Sequence, residues 1–123
     1  MLPIDVKEIG RVRKLSEEVS VLDVEPAYAD ALDGVAEGGS VQVLFWMHEL
    51  KPKDRDVLRV HPRGDRARPR KGVFALRSPM RPNPIGVTVV RVREVRGTSV
   101  FVSGLDAMDG SPIIDIKGGG GRK

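Results

Sequence analysis

Short apolar runs rich in valine, separated by glycine, proline and aspartate, limit what this chain can fold into. Such runs are typical of β-strands, because β-branched side chains favour extended backbone. In chain order they are IDVKEIGRVRKL, VSVLDVE, SVQVLFWM, DVLRVH, GVFAL, GVTVVRVREV, TSVFVSGL and PIIDIK. No long amphipathic helix separates them, which disfavours a parallel doubly wound sheet. The pattern predicts an all-β fold: a small, mostly antiparallel β-barrel with one or two short helices.

Two local signals refine this prediction. The runs VTVVRVREV and TSVFVSGL are joined across Arg96-Gly97, where glycine supplies the positive φ that a tight hairpin requires. The stretch PAYADALDGV predicts a short helix, since Pro26 suits a first helical position and Gly34 a C-terminal stop. The sequence therefore predicts one antiparallel hairpin and one helical segment by position.

Composition restricts the classes of protein that remain. A chain of 123 residues, 40% apolar and 31% charged, suits one globular domain. Without cysteine it can form neither disulfides nor a thiolate metal site, and with only two histidines we expect no metal. The N-terminus lacks the apolar core of a signal peptide, and no stretch approaches the roughly 20 apolar residues that span a bilayer. We expect a cytoplasmic protein.

Positive charge is concentrated in one segment. Lys and Arg outnumber Asp and Glu by 21 to 17 over the chain, a net charge of +4. The stretch HPRGDRARPRK (61–71), which we call the basic segment, has one acidic residue, Asp65. Its cations are Arg63, Arg66, Arg68, Arg70 and Lys71. Such a loop is either a solvated surface or a contact for the phosphates of a nucleic acid.

The stretch RSPMRPNPIG (77–86), which we call the proline-arginine motif, combines two arginines with three prolines. Each proline fixes its own φ and pushes the preceding residue into extended backbone. A loop of this kind loses little entropy on binding, so Arg77 and Arg81 could clamp a carboxylate or phosphate in fork geometry. Alternatively, the loop is a rigid connection whose arginines pair within the protein.

Two further segments carry polar groups in informative positions. In GLDAMDGSPIIDIK (104–117), turn chemistry accounts for Asp109-Gly110. Asp106 and Asp115 either pair with other residues of the protein, such as the arginines, or act as a cation ligand or a base. In LFWMHEL (44–50), Trp46 is expected to be core or half-buried, and His48 follows a strand end and is a candidate ligand contact. No GxGxxG, GxxxxGK[ST] or HExxH motif is present.

Together, GVFALRSPMRPNPIGVTVVRV and GLDAMDGSPIIDIK resemble the signature of the TsaA-like (TrmO) methyltransferase family. The segments IGRVR, YADALDG, VLFWMH and VHPRGD are similar to family segments in the same order, so the resemblance runs from about Ile9 to Lys117. The resemblance implies a β-barrel homodimer that binds S-adenosylmethionine near the subunit interface. It also implies N6-methylation of threonylcarbamoyladenosine at position 37 of tRNA, in the anticodon loop.

The resemblance also implies a set of site residues. Contacts to the cofactor are expected at His48, Glu49, Arg77, Val87, Ala107, Met108, Asp109 and Gly110. Asp109 is in addition the candidate catalytic residue, as an acceptor for the N6 proton. The RNA contacts do not come from the resemblance: the density of cations in 61–71 predicts contacts from Arg66, Arg68 and Arg70. Arg81 and Asn83 of the stretch 77–86 are further candidate contacts to RNA.

The domain boundaries follow from the same patterns. Residues 1–117 are expected to form the TsaA-like domain and 118–123 a flexible glycine-rich tail. Two alternative functions remain open. One is a methyltransferase of the same fold that acts on another small molecule or nucleoside, and the other is a non-catalytic RNA-binding β-barrel.

Overall fold

The structure, a computed structural model, describes residues 2–119 and contains a closed six-stranded β-barrel. Every pairing between its strands is antiparallel, and the order around the barrel is β1-β2-β7-β6-β3-β8. These strands are β1 (Gly10–Lys14), β2 (Val19–Val24), β3 (Ser40–Trp46), β6 (Ile85–Arg96), β7 (Ser99–Ser103) and β8 (Pro112–Gly118). Two short strands, β4 (Arg59–Val60) and β5 (Lys71–Gly72), pair with each other outside the barrel. The predicted fold class is confirmed.

The barrel interior is filled by alternate side chains of the strands, as the period of two along an extended chain requires. In β3 the residues Val41, Val43 and Phe45 are buried, whereas those between them are only partly buried. Gly86 of β6 lies opposite Phe45, and a Cβ on this glycine would come within 2.5 Å of the Phe45 ring. The backbone at the start of β6 therefore packs closely against the ring of Phe45, and only glycine fits at position 86.

The two local predictions are confirmed. Arg96 of β6 pairs with Ser99 of β7, and Gly97 at the hairpin has a φ of +58°. The predicted helical segment forms as a 3-10 helix over Pro26–Leu32, and Gly34 has a φ of +94° shortly after it. In both places the glycine adopts a backbone conformation that other residues rarely populate.

One predicted strand is wrong. GVFAL does not continue as a strand beyond Gly72; Val73–Ala75 forms a 3-10 turn, closed by a hydrogen bond from the Leu76 amide to the Val73 carbonyl. Val73 is buried, while Phe74 beside it is 83% exposed. The contiguous apolar run therefore wrongly predicts a strand, because its residues point in different directions around a turn.

The last strand of the barrel extends one residue beyond the predicted domain boundary. Gly118, assigned to the tail by the sequence, pairs with Val41 as the last residue of β8; residues 120–123 of the predicted tail lie outside the described residues. Within residues 2–119, no helix is long and apolar enough to cross a membrane.

A carboxylate on β2 joins three strands of the barrel. Asp23 accepts hydrogen bonds from Arg13 of β1, at 2.8 and 3.2 Å, and from the Ser99 hydroxyl of β7, at 3.0 Å. The hydrogen bond from Arg13 is the main reason that the pKa of Asp23 lies below its usual value. The ionised form therefore stabilises the fold above the pKa of an unfolded aspartate, about 3.9.

Replacing this aspartate should lower stability in a pH-dependent way. We expect Asp23→Asn to reduce the free energy of unfolding at pH 7 by about 1 kcal/mol or less, since the partly exposed pair is screened by water. The difference from the parent should shrink as the pH falls through the pKa of folded Asp23, which urea unfolding at a series of pH values measures. The matched control is Asp115→Asn, because Asp115 is also a carboxylate paired with one cation, Lys117, at 3.2 Å. Equal losses at every pH would contradict this account.

Candidate functional site

One end of the barrel gathers the segments that the sequence analysis selected. At this end Trp46 of β3 pairs with Ile85 of β6, and Phe45 pairs with Ile113 of β8. The residues after β3, before β6 and before β8 therefore meet at one edge of the barrel. We call this edge the site rim and define it as residues 46–49, 77–87 and 104–112.

The turn before β8 is held rigidly at the rim. Ala107 is buried in the core, whereas Met108 and Asp109 are exposed. The Asp109 Oδ1 atom accepts a hydrogen bond of 2.9 Å from the Lys14 amide, and the Gly110 amide donates to the Val12 carbonyl at 2.8 Å. This anchoring to β1 fixes a thioether and a carboxylate at the surface of the rim.

Two predicted residues follow β3 directly. His48 and Glu49 are both exposed, and the His48 Nε2 atom lies 3.9 Å from the Glu49 Oε1 atom. Trp46, which precedes them, is half-buried as expected. The end of β3 therefore presents an imidazole and a carboxylate at the same rim that contains Asp109.

Arg77 connects the rim to a neighbouring cleft. Its guanidinium is exposed and donates a hydrogen bond to the Val87 carbonyl near the start of β6. Val87 itself is 37% exposed. The same arginine lines a cleft of about 1300 Å³ that is formed by residues of 59–71 and 75–80. Of the eight predicted cofactor residues, only Arg77 lines this cleft.

The cleft is strongly cationic. Its lining includes no acidic side chain within residues 2–119, and its basic members are Arg59, Arg63, Arg66, Arg68, Arg70, Lys71 and Arg77. Asp65 lies beside it, 3.6 Å from the Nε atom of Arg68. The three arginines predicted to contact RNA thus share one surface, and a dense cluster of guanidinium groups suits a polyanion.

Arg81 and Asn83 are placed differently from the other predicted RNA contacts. Arg81 is partly buried and donates hydrogen bonds to the carbonyls of Val73, Leu76 and Ser78. Asn83 accepts a hydrogen bond of 3.3 Å from Arg55 through its Oδ1 atom. These contacts favour a role within the loop for both residues.

Arg55 supports the site although the sequence did not indicate it. Arg55 donates to the Pro82 carbonyl at 2.7 Å and lies 5.3 Å from the Trp46 ring centroid, so it ties the motif to β3. No local pattern distinguishes it from other surface arginines.

Asp106 and Asp115 have partners inside the protein. Asp106 accepts a hydrogen bond from the Thr88 hydroxyl, and Asp115 lies 3.2 Å from Lys117. A separate cavity of about 590 Å³ is lined mainly by apolar residues such as Leu32, Val41 and Val92, and also by Asp115. None of the residues predicted to contact the cofactor or RNA lines it. The rim and the cationic cleft therefore remain the candidate site.

Comparison with known proteins bears on the same residues. The family model described as tRNA-methyltransferase O N-terminal domain matches residues 5–118. The chain belongs to this family. The rim, the cleft and the proline-arginine motif all lie within the matched range, so the candidate site is part of the TrmO N-terminal domain.

Two proteins named for binding S-adenosyl-L-methionine are similar to this chain over most of its length. An S-adenosyl-L-methionine-binding protein of Archaeoglobus fulgidus is 44% identical over 107 residues, 87% of this chain and 73% of the relative. A Methanocaldococcus jannaschii protein named "Probable S-adenosyl-L-methionine-binding protein" is 43% identical over 113 residues, 91% of this chain and 89% of the relative.

A solved structure agrees with the barrel. The crystal structure of TrmO from Pseudomonas aeruginosa superposes with a TM-score of 0.69 at 26% identity, over 95% of this chain. The chain covers 56% of the length of that crystallised TrmO chain. The correspondence therefore concerns the barrel domain of the TrmO family.

Proposed function

We propose that this chain is an S-adenosylmethionine-dependent methyltransferase whose substrate is tRNA, modified at N6 of threonylcarbamoyladenosine at position 37. The cofactor is S-adenosylmethionine. The observation that carries the proposal is the position of Arg77, which belongs both to the rim of predicted cofactor residues and to the lining of the cationic cleft. One guanidinium thus lies where a bound cofactor and a bound polyanion would meet.

The residues of the rim fit this cofactor by their chemistry. The carboxylate of S-adenosylmethionine needs a cation in a fixed position, which Arg77 supplies in fork geometry. Its ammonium and ribose hydroxyls call for acceptors, which Glu49 and Asp109 supply from two sides of the rim. The exposed side chains of Val87 and Met108 offer an apolar surface for the adenine ring.

The residues of this chain position the reacting groups and accept a proton. When bound, S-adenosylmethionine supplies an activated methyl group. Asp109 is held by its hydrogen bond from the Lys14 amide, so its exposed carboxylate stays in place to accept the N6 proton of the substrate. The anchored turn and the proline-stiffened loop restrict motion around the reacting groups, which in-line transfer requires above all.

The RNA is proposed to enter along the cationic cleft. Arg66, Arg68 and Arg70 line it together with Arg77, so phosphates bound there pass the rim. Phosphate contacts of this kind fix the position of a nucleic acid without reading its sequence. The cleft therefore supports RNA as the class of substrate, while the identity of the modified base rests on the family resemblance.

We also propose a homodimer, with the outer face of β6 in the interface. Strand β7 pairs with β6 only from Arg91 onward, and the outward residues before that point are apolar. Val87 is 37% exposed and Val89 is 56% exposed, next to a rim that includes Val87 itself. A second copy covering these valines would close the cofactor site. Light scattering that gives a monomer mass at micromolar concentration would contradict this.

Two measurements test the proposed function. Isothermal titration should show saturable binding of S-adenosylmethionine, and methyl-labelled cofactor should transfer label into bulk tRNA that carries threonylcarbamoyladenosine. tRNA that lacks the threonylcarbamoyl group is the matched control and should remain unlabelled. The modified nucleoside is then identified by mass spectrometry after digestion.

The outcomes separate the alternatives. Cofactor binding without transfer to tRNA would favour a methyltransferase that acts on another nucleoside or small molecule. RNA binding without cofactor binding would favour a non-catalytic RNA-binding barrel. Label in tRNA that lacks threonylcarbamoyladenosine would overturn the proposed base while keeping the RNA class.

A further inference from the structure

The second arginine of the proline-arginine motif binds the motif's own backbone. The Nε atom of Arg81 donates to the Ser78 carbonyl at 2.7 Å. Its Nη2 atom donates to the carbonyls of Val73 and Leu76, at 2.6 and 2.7 Å. Three of the five N–H donors of this guanidinium are therefore used inside one loop.

These acceptors enclose Arg77. The carbonyls of Leu76 and Ser78 belong to the residues on either side of it, and the carbonyl of Val73 belongs to the turn that precedes it. A single rigid group thus holds the backbone before and after Arg77 to one point. Prolines 79, 82 and 84 stiffen the chain beyond Ser78 but do not connect it back to the turn.

We propose that Arg81 is a positioning residue that orients Arg77 for the cofactor. The proposal rests on the proposed function, because it takes Arg77 as a cofactor contact. The guanidinium suits this task because it is planar, always charged and carries donors in a fixed fork, so three carbonyls of defined direction are satisfied together. A lysine at position 81 keeps the charge but loses that fixed arrangement.

Loss of the hydrogen bonds from Arg81 to the loop should weaken binding of the cofactor. A loop that is loose in the free protein must be ordered when the cofactor binds, and that ordering weakens affinity. We expect Arg81→Lys to raise the cofactor dissociation constant about two- to tenfold, the range that corresponds to ordering one flexible side chain. At saturating cofactor, kcat should change little while the KM for the cofactor rises.

A double-mutant cycle distinguishes positioning from general support of the fold. If Arg81 acts through Arg77, then Arg81→Lys should have little further effect on cofactor affinity in an Arg77→Lys background. Amide hydrogen exchange of residues 73–80 in the cofactor-free protein should accelerate in Arg81→Lys. Arg96→Lys, at the hairpin on the opposite end of the barrel, is the matched control and should change neither readout.

The results that would overturn the inference differ from those that would overturn the proposed function. Additive losses of affinity, or slow exchange over residues 73–80 in Arg81→Lys, would make Arg81 an ordinary structural residue while Arg77 remains a cofactor contact. If Arg77→Lys alone leaves cofactor affinity unchanged, the proposed role of Arg77 fails first. Arg81→Met, which keeps the stem and removes every donor, should show faster exchange still.

Discussion

Arg77→Lys should weaken the binding of S-adenosylmethionine about 5- to 150-fold. This range corresponds to the loss of roughly 1–3 kcal/mol from one charge-assisted contact with fork geometry. Lysine preserves the charge, so a large effect isolates the geometry of the guanidinium. Titration calorimetry of the parent and the variant measures the change directly.

The same substitution should have little effect on stability without cofactor. Arg77 is exposed, and its one described hydrogen bond goes to the Val87 carbonyl, a group at the surface of β6. The thermal midpoint should therefore move little. An unchanged cofactor affinity together with a large fall in the thermal midpoint would show instead that Arg77 is a brace of the loop.

Replacing Arg66, Arg68 and Arg70 together by alanine should flatten the salt dependence of RNA binding. Each phosphate contact adds about 0.7 to 0.9 to the slope of log affinity against log salt, so three contacts account for about two to three units. All three side chains line the same cleft, which makes simultaneous contact with one RNA strand geometrically reasonable. Filter binding at several salt concentrations measures the slope.

A matched triple variant controls for net charge. Arg11, Arg91 and Arg93 are exposed and lie outside the residues that line the cleft. Their joint replacement by alanine removes the same charge and should leave the slope nearly unchanged. If both triple variants flatten the slope equally, the cleft has no special role and the basic segment is only a solvated surface.

Much of the barrel could be predicted because its signals are local. Period-two alternation identifies strands, and Gly97 marks its hairpin because a positive φ is inexpensive only for glycine. The need for Gly86 could not be seen in this way. It depends on the register that places the Phe45 ring over it, and register is a relation between distant segments.

The sequence by itself determined the strands of the barrel, the hairpin and the segments that form the candidate site. Only the tertiary structure decided what each arginine of RSPMRPNPIG does. Arg77 and Arg81 are the same residue type, four positions apart, with proline-rich neighbours. Their difference arises because the path of the loop directs the carbonyls of Val73, Leu76 and Ser78 towards Arg81 and leaves Arg77 facing the rim and the cleft. The direction of a carbonyl depends on the path of the whole loop, which no local residue pattern encodes.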